Sequence, residues 1–260
     1  GAQSFVQREL DFLGRGYTVD SIGPGVQQVR TAGFDNISLD LIFAVPGSSL
    51  DSWKYNLRAA VALAVNHISA YSLTYEDRTP LAKDMAAGLV TPVDEDTDRA
   101  MYELTIDELA RAGIDQYEIS NFARPGFECR HNLNCWANGS YAGIGPGATS
   151  YLKGTRSTNF ADIEKYVRAI TSGTSAVESS ETLAGRERAC ETAVLNLRRR
   201  RGIDLAEFKS RTGFDAMELF TEPIRTYQER GLIEKDGGRI FLTRQALGIA
   251  DSILCDFALV

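Results

Sequence analysis

Strand and helix signals alternate through the first two thirds of this chain, and that alternation restricts it to the α/β class. Phe34–Phe43 is apolar and β-branched, and it ends at Pro46-Gly47, a turn signal. Ser48-Ser49-Leu50-Asp51 then reads as a capping box. The helix after it carries Leu50, Trp53, Leu57, Val61 and Ala64 on one face. His67–Thr74 is the next strand, with His67 in a structural role at its start. Asp94–Asp98 set acids at the start of a second helix, where the helix dipole favours them. Met101, Leu104, Leu109 and Ala112 form its buried face, and Gly113 ends it in left-handed geometry. Tyr117, Ile119 and Asn121 alternate as a third strand, which runs to a break at Pro125-Gly126. Strand, helix, strand, helix, strand in this order predicts parallel β-α-β units.

From Arg186 the pattern changes. One helix (Ala189, Ala193, Leu197) ends in Arg198–Arg201, which favour its C-terminal dipole. A second covers Asp204–Arg211, and a third runs from Asp215 to Arg230 with Pro223 inside it. Leu232–Leu242 has the form of a hairpin turning at Asp236-Gly237-Gly238, and Thr243 caps a last helix. Three helices and a hairpin make a winged-helix arrangement. Lys and Arg against Asp and Glu give 15 − 23 = −8 for residues 1–183 and 13 − 12 = +1 for residues 184–260. The step follows the Ser/Thr/Gly-rich stretch Thr171–Thr182, so the expected domains are 1–175 and 184–260.

The net charge of −7 argues against a nucleic-acid partner, and with it against a DNA-binding role for the winged helix. No apolar run approaches the roughly 18–20 residues of a spanning helix. Cysteines at 129, 135, 190 and 255 show no disulfide-framework spacing, which points to reduced thiols and a cytoplasmic protein. Cys129 and Cys135 flank His131, but their separation exceeds the usual zinc spacing and no second ligand pair follows. Tyr141–Tyr151 holds three glycines; lacking a Walker lysine, it is no P-loop.

Residues 116–136 concentrate unusual residues: His131, Cys129, Cys135 and Trp136 follow the Pro125-Gly126 break, as a functional loop would. The stretch His131-Asn132-Leu133-Asn134-Cys135-Trp136 resembles the His-Asn-x-x-Tyr-Trp motif of a haem-chaperone branch, with cysteine in place of tyrosine. That branch belongs to the oxygen-independent coproporphyrinogen III oxidase-like radical S-adenosylmethionine proteins. The resemblance spans nearly the whole chain, and 36–47, 67–81 and 115–151 carry it best.

The resemblance implies the C-terminal half of a radical S-adenosylmethionine (β/α)₆ barrel, followed by a small winged-helix-like α+β domain. Gln3, Arg15 and Asp40 match family positions that contact S-adenosylmethionine, and Thr74 joins them on the expected rim at the strands' carboxyl ends. A guanidinium suits the ligand's carboxylate, and Asp and Gln suit its ribose hydroxyls and amino group. Thr149 falls in the glycine-rich segment that lines the cofactor cavity, where the chaperone branch often has histidine. Phe43-Ala44-Val45 stands where the family has Tyr-Gly-Leu, and Ala44 narrows the backbone freedom of that turn. His131 would ligate haem from a mobile loop, with Trp136 shielding the macrocycle and Cys135 adding a thiol. The Cys-x-x-x-Cys-x-x-Cys loop for the [4Fe–4S] cluster is not in these residues; the resemblance places it upstream, in roughly a hundred residues preceding Gly1. The implied function is haem delivery to client proteins, transient membrane-associated partners among them. Oxidative decarboxylation of coproporphyrinogen III is the alternative, and the oligomeric state stays open.

Overall fold

The computed structural model describes residues 1–258. The chain divides into two compact units, Gly1–Glu128 and Cys129–Val260.

The first unit runs α1 (Gln7–Phe12), α2 (Ile22–Thr31), β1 (Ser38–Phe43), α3 (Leu50–Ala62), β2 (His67–Ser72), α4 (Pro80–Ala86), α5 (Glu95–Arg111), β3 (Asp115–Gln116) and β4 (Asn121–Ala123). Its sheet has the order β1-β2-β4-β3. Strands β1 and β2 are parallel, from Ser38 opposite His67 to Phe43 opposite Ser72, as the first β-α-β unit requires. The third strand departs from the sequence reading. Instead of a parallel strand through Tyr117, Ile119 and Asn121, a short hairpin places β4 antiparallel to both β2 and β3. Glu118 explains the difference: its Oε1 accepts from Ser120 N at 3.0 Å and from Asn121 Nδ2 at 2.5 Å, so the segment turns.

Side chains alternate across β1. Leu39, Leu41 and Phe43 are buried, whereas Ser38, Asp40 and Ile42 retain exposure. Strands β1 and β2 pack on α3 and α5. Phe43 lies 5.4 Å from Trp53 and 6.3 Å from Tyr102, ring centre to ring centre. The box opening α3 is one residue later than expected: Ser49 Oγ accepts from Ser52 N and Ser52 Oγ from Ser49 N. Its buried face is Trp53, Asn56, Leu57 and Ala60; Leu50 stays exposed, and Ala64 lies beyond the helix end. In α5, Thr105 is buried alongside Met101 and Leu109, and Leu104 is only half-buried.

The second unit comprises α6 (Arg130–Trp136), β5 (Thr149–Leu152), β6 (Thr155–Asn159), α7 (Ile163–Thr171), β7 (Val177–Thr182), α8 (Gly185–Leu197), β8 (Ile203–Asp204), α9 (Leu205–Thr212), α10 (Ala216–Leu219), α11 (Thr221–Glu229), β9 (Ile233–Asp236), β10 (Arg239–Leu242) and α12 (Ala250–Ala258). Strands β5, β6 and β7 form one antiparallel sheet, and β8, β10 and β9 another. The division after Glu128 puts the first of these sheets with the C-terminal helices, upstream of the charge step. Arg156 of β6 reaches Glu191 of α8 at 2.5 Å, and Asn138 reaches Thr192 at 3.0 Å.

Helices α8, α9 and α11 with the β9–β10 hairpin realise the winged-helix pattern. Gly237 and Gly238, at φ +54° and +77°, supply the left-handed turn that a two-residue hairpin needs. The single helix expected over Asp215–Arg230 is two. Phe220 breaks it, fully buried against Phe257 at 5.0 Å, and Pro223 fits the first turn of α11, where no N–H is needed. Thr243 stands at the N-cap of the 3-10 turn Arg244–Ile249 that leads into α12, but its hydroxyl makes no cap and donates to Gly231 O at 2.9 Å. The four arginines also differ from a simple helix cap. Arg198 lies over the Trp136 ring and pairs with Asp251, Arg199 donates to Asn196, Arg200 to Leu242 O, and Arg201 to Glu207.

Candidate functional site

One face of the first unit's sheet is polar. Register sets Asp40 beside Ser69 and Ser69 beside Asn121, and sets Ser38 beside His67. His67 is buried between two hydroxyls, with Nδ1 2.7 Å from Ser38 Oγ and Nε2 2.8 Å from Tyr117 OH. Burial holds its pKa below the ordinary histidine value, against the opposing charge of Asp40. The opposite face carries the apolar side chains that α3 and α5 cover.

Gln3 and Asp40 meet at the edge of this sheet. Gln3 N donates to Asp40 O at 2.7 Å, and Gln3 O accepts from Ile42 N at 2.8 Å, a parallel bridge that extends β1's edge. A Cβ on Gly1 would strike the Gln3 side-chain amide and lie 3.4 Å from Asp40 Oδ2. The Gln3 amide therefore fills the space that glycine leaves, close to Asp40 Oδ2. Gln3 itself is left-handed, φ +60°, which a non-glycine residue adopts only under constraint. Arg15 is exposed between Gly14 and Gly16, and among the described residues its guanidinium has no hydrogen bond or ion pair. Two residues on, Tyr17 OH donates to Gly1 O at 2.9 Å, tying the Arg15 turn to the Gln3 segment.

Thr74 is exposed two residues past β2, where Leu73 N donates to Phe43 O at 3.0 Å, beside the carboxyl end of β1. Buried oxygens without a partner gather beyond the same two strand ends: Ser48 Oγ after β1 and Tyr75 OH after β2. Burial raises the Tyr75 pKa. Ala44, buried at φ +57°, carries the strain expected where the motif has glycine.

The other sequence-derived residues lie in the second unit. The Thr149 hydroxyl is 2.9 Å from that of Thr158 across the β5–β6 pair, already committed to a partner. A Cβ at Gly143 would strike the Thr149 backbone, so this glycine serves close packing.

The His131 motif is not a loop. Arg130–Trp136 is a short helix, α6, which puts His131 and Cys135 one turn apart on the same side. The exposed imidazole Nε2 lies 3.7 Å from Cys135 Sγ, and the ring meets Tyr141 edge-on at 6.2 Å. Burial, and after it Cys129, raises the Cys135 thiol pKa. One face of the Trp136 ring is taken, because Arg198 stacks on it at 4.9 Å. Among the described residues no group of three His, Cys, Asp or Glu is placed to hold a metal ion.

Sequence reasoning missed Ser38, Tyr117, Ser48, Tyr75 and the buried pair Glu9 and Asn56. A carboxylate at Glu9 in an otherwise helical run gives no local signal of burial.

Set against known proteins, the fold is that of coproporphyrinogen III oxidase (HemN) from Escherichia coli, a radical SAM enzyme. The TM-score is 0.80 at 16% identity, over 98% of this chain and 62% of that one. Residues 183–248 match the HemN C-terminal domain family. The haem chaperone HemW of Lactococcus lactis is 32% identical over 100% of this chain and 68% of its own length. That of Bacillus subtilis is 31% identical over 99% and 68%, and that of Mycobacterium tuberculosis 33% over 98% and 63%. The chain belongs to the HemW family, and spans about two thirds of these relatives' length.

Proposed function

We propose that this protein is a haem chaperone, binding haem and handing it to client proteins, transient membrane-associated ones among them, in the cytoplasm. No described helix is long and apolar enough to cross a membrane. The observation that carries the reading is relatedness to haem chaperones over essentially the whole chain, with an exposed imidazole at the motif position. The His131–Cys135 pair offers a nitrogen and a sulfur from one helical turn, and imidazole is an axial ligand of haem iron.

The residues around Gly1 fit S-adenosylmethionine. Arg15 would grip its carboxylate, Asp40 its ribose hydroxyls and Gln3 its amino group, with Thr74 beside the strand ends. Together with a [4Fe–4S] cluster, that ligand supplies one-electron chemistry.

The test is haem titration of full-length protein followed by absorbance, with His131→Ala alongside. A weakened or spectrally altered complex with unchanged thermal unfolding is expected. Unchanged affinity and spectrum would remove His131 from the site. Turnover of coproporphyrinogen III by the wild type would transfer the reading to the oxidase.

A further inference from the structure

Helix α1 lies between Gln3 and Arg15 in sequence, and it is fastened at two points to the start of α3 and the turn before it. Arg8 Nη2 donates to Gly47 O at 3.0 Å, and a Cβ on Gly47 would strike that guanidinium. One residue on, Glu9 is 4% exposed, and neutral donors surround its carboxylate. Ser4 Oγ lies 2.6 Å from Oε2, Asn56 Nδ2 2.9 Å from Oε2, and Ser52 Oγ 3.1 Å from Oε1. Ser52 sits in the first turn of α3, where the helix dipole favours a negative charge. Asn56, itself fully buried, accepts from Phe5 N at 2.5 Å, and Val6 N donates to Ser4 Oγ at 2.9 Å.

The network therefore grips residues 4–6 immediately after the left-handed Gln3. A strained backbone persists only where its surroundings over-determine it, and a buried carboxylate is retained only where donors meet it. Simple packing of α1 would need neither.

We infer that Glu9, with Ser4 and Asn56, positions the ligand cradle: it locks Gln3 in its left-handed state and, through α1, sets Arg15 relative to Asp40. The ligand class is an amino-acid-bearing nucleoside, with a carboxylate for Arg15 and ribose hydroxyls for Asp40. The inference rests on the reading that these three residues bind S-adenosylmethionine.

The experiment measures S-adenosylhomocysteine binding by calorimetry on the full-length protein, with amide hydrogen exchange on the ligand-free form. Glu9→Gln keeps the shape but replaces one acceptor oxygen by a donor facing other donors. Affinity should fall about tenfold, the scale of one displaced hydrogen bond. The Gln3 and Ile42 amides, bonded across the bridge, should exchange faster. Adding Glu9→Gln to Gln3→Ala should cost less than the two separate losses combined, since both act through one group. Ser4→Ala is the second variant and carries the test if Glu9→Gln does not fold. Wild-type affinity and exchange in the folded variants, or strictly additive losses, would overturn the positioning role. A wild type that binds no S-adenosylhomocysteine would sink the cofactor reading, and the ligand assignment with it; the exchange arm would still report whether Glu9 holds Gln3.

Discussion

In the second unit Arg156 reaches Glu181 at 2.6 Å and Glu191 at 2.5 Å while lying over the Tyr151 ring, and Arg201 pairs with Glu207. In the first unit Arg15 stands exposed with no partner among the described residues, and Ser48 and Tyr75 each bury an oxygen that nothing satisfies. Unpaired atoms occur in the second unit too, at Trp136 Nε1, Tyr151 OH, Arg198 Nε and Arg199 Nε, but each belongs to a side chain with another contact. The difference separates architecture from function. A polar group with a partner holds the fold; on the proposed reading, Arg15 and the unpaired oxygens beyond β1 and β2 await a ligand.

Three substitutions sharpen that contrast. Arg156→Ala has the largest expected effect on stability. It leaves the half-buried Glu191 without its cation and should lower unfolding free energy by about 2 kcal/mol, read from the denaturant midpoint. Arg15→Ala should leave stability within about 0.5 kcal/mol, because it removes no contact. It should nevertheless weaken S-adenosylhomocysteine binding by at least about tenfold, the loss of a charge-assisted pair. If Arg15→Ala destabilises as much as Arg156→Ala, the contrast between the units collapses.

The smallest effect concerns His67, whose folded pKa is depressed by burial. The unfolded chain then binds the proton more readily, so stability is full above the unfolded value of about 6.5 and falls as pH drops below it. His67→Gln should flatten that slope in denaturant titrations run from about pH 7 to pH 5. A slope that survives the substitution would assign it to other groups.

Much of the fold was legible. Pro46-Gly47, the serines after it, the acids before α5 and the Gly237-Gly238 turn all act within a few residues, and each marked an element to within a residue or two. Two local readings failed where a side chain overrode a pattern: Glu118 turned an alternating run into a hairpin, and buried Phe220 split a helix. The His131 segment read as a loop because it follows the Pro125-Gly126 break; only the helix shows that His131 and Cys135 share a side.

The sequence by itself determined the alternating α/β order, the winged-helix-like end and the family, and it picked out Gln3, Arg15, Asp40 and His131 as residues worth placing. Only the tertiary structure decided that Gln3 is left-handed at Asp40's side, that Arg15 is unpaired among the described residues while Thr149 is engaged, and that His67 bridges two hydroxyls. The physical reason is range. Caps, turns and apolar periods are set by neighbours along the chain, but Glu9 and Asn56 are 47 residues apart and His67 and Tyr117 50, and folding alone brings such pairs within hydrogen-bonding distance.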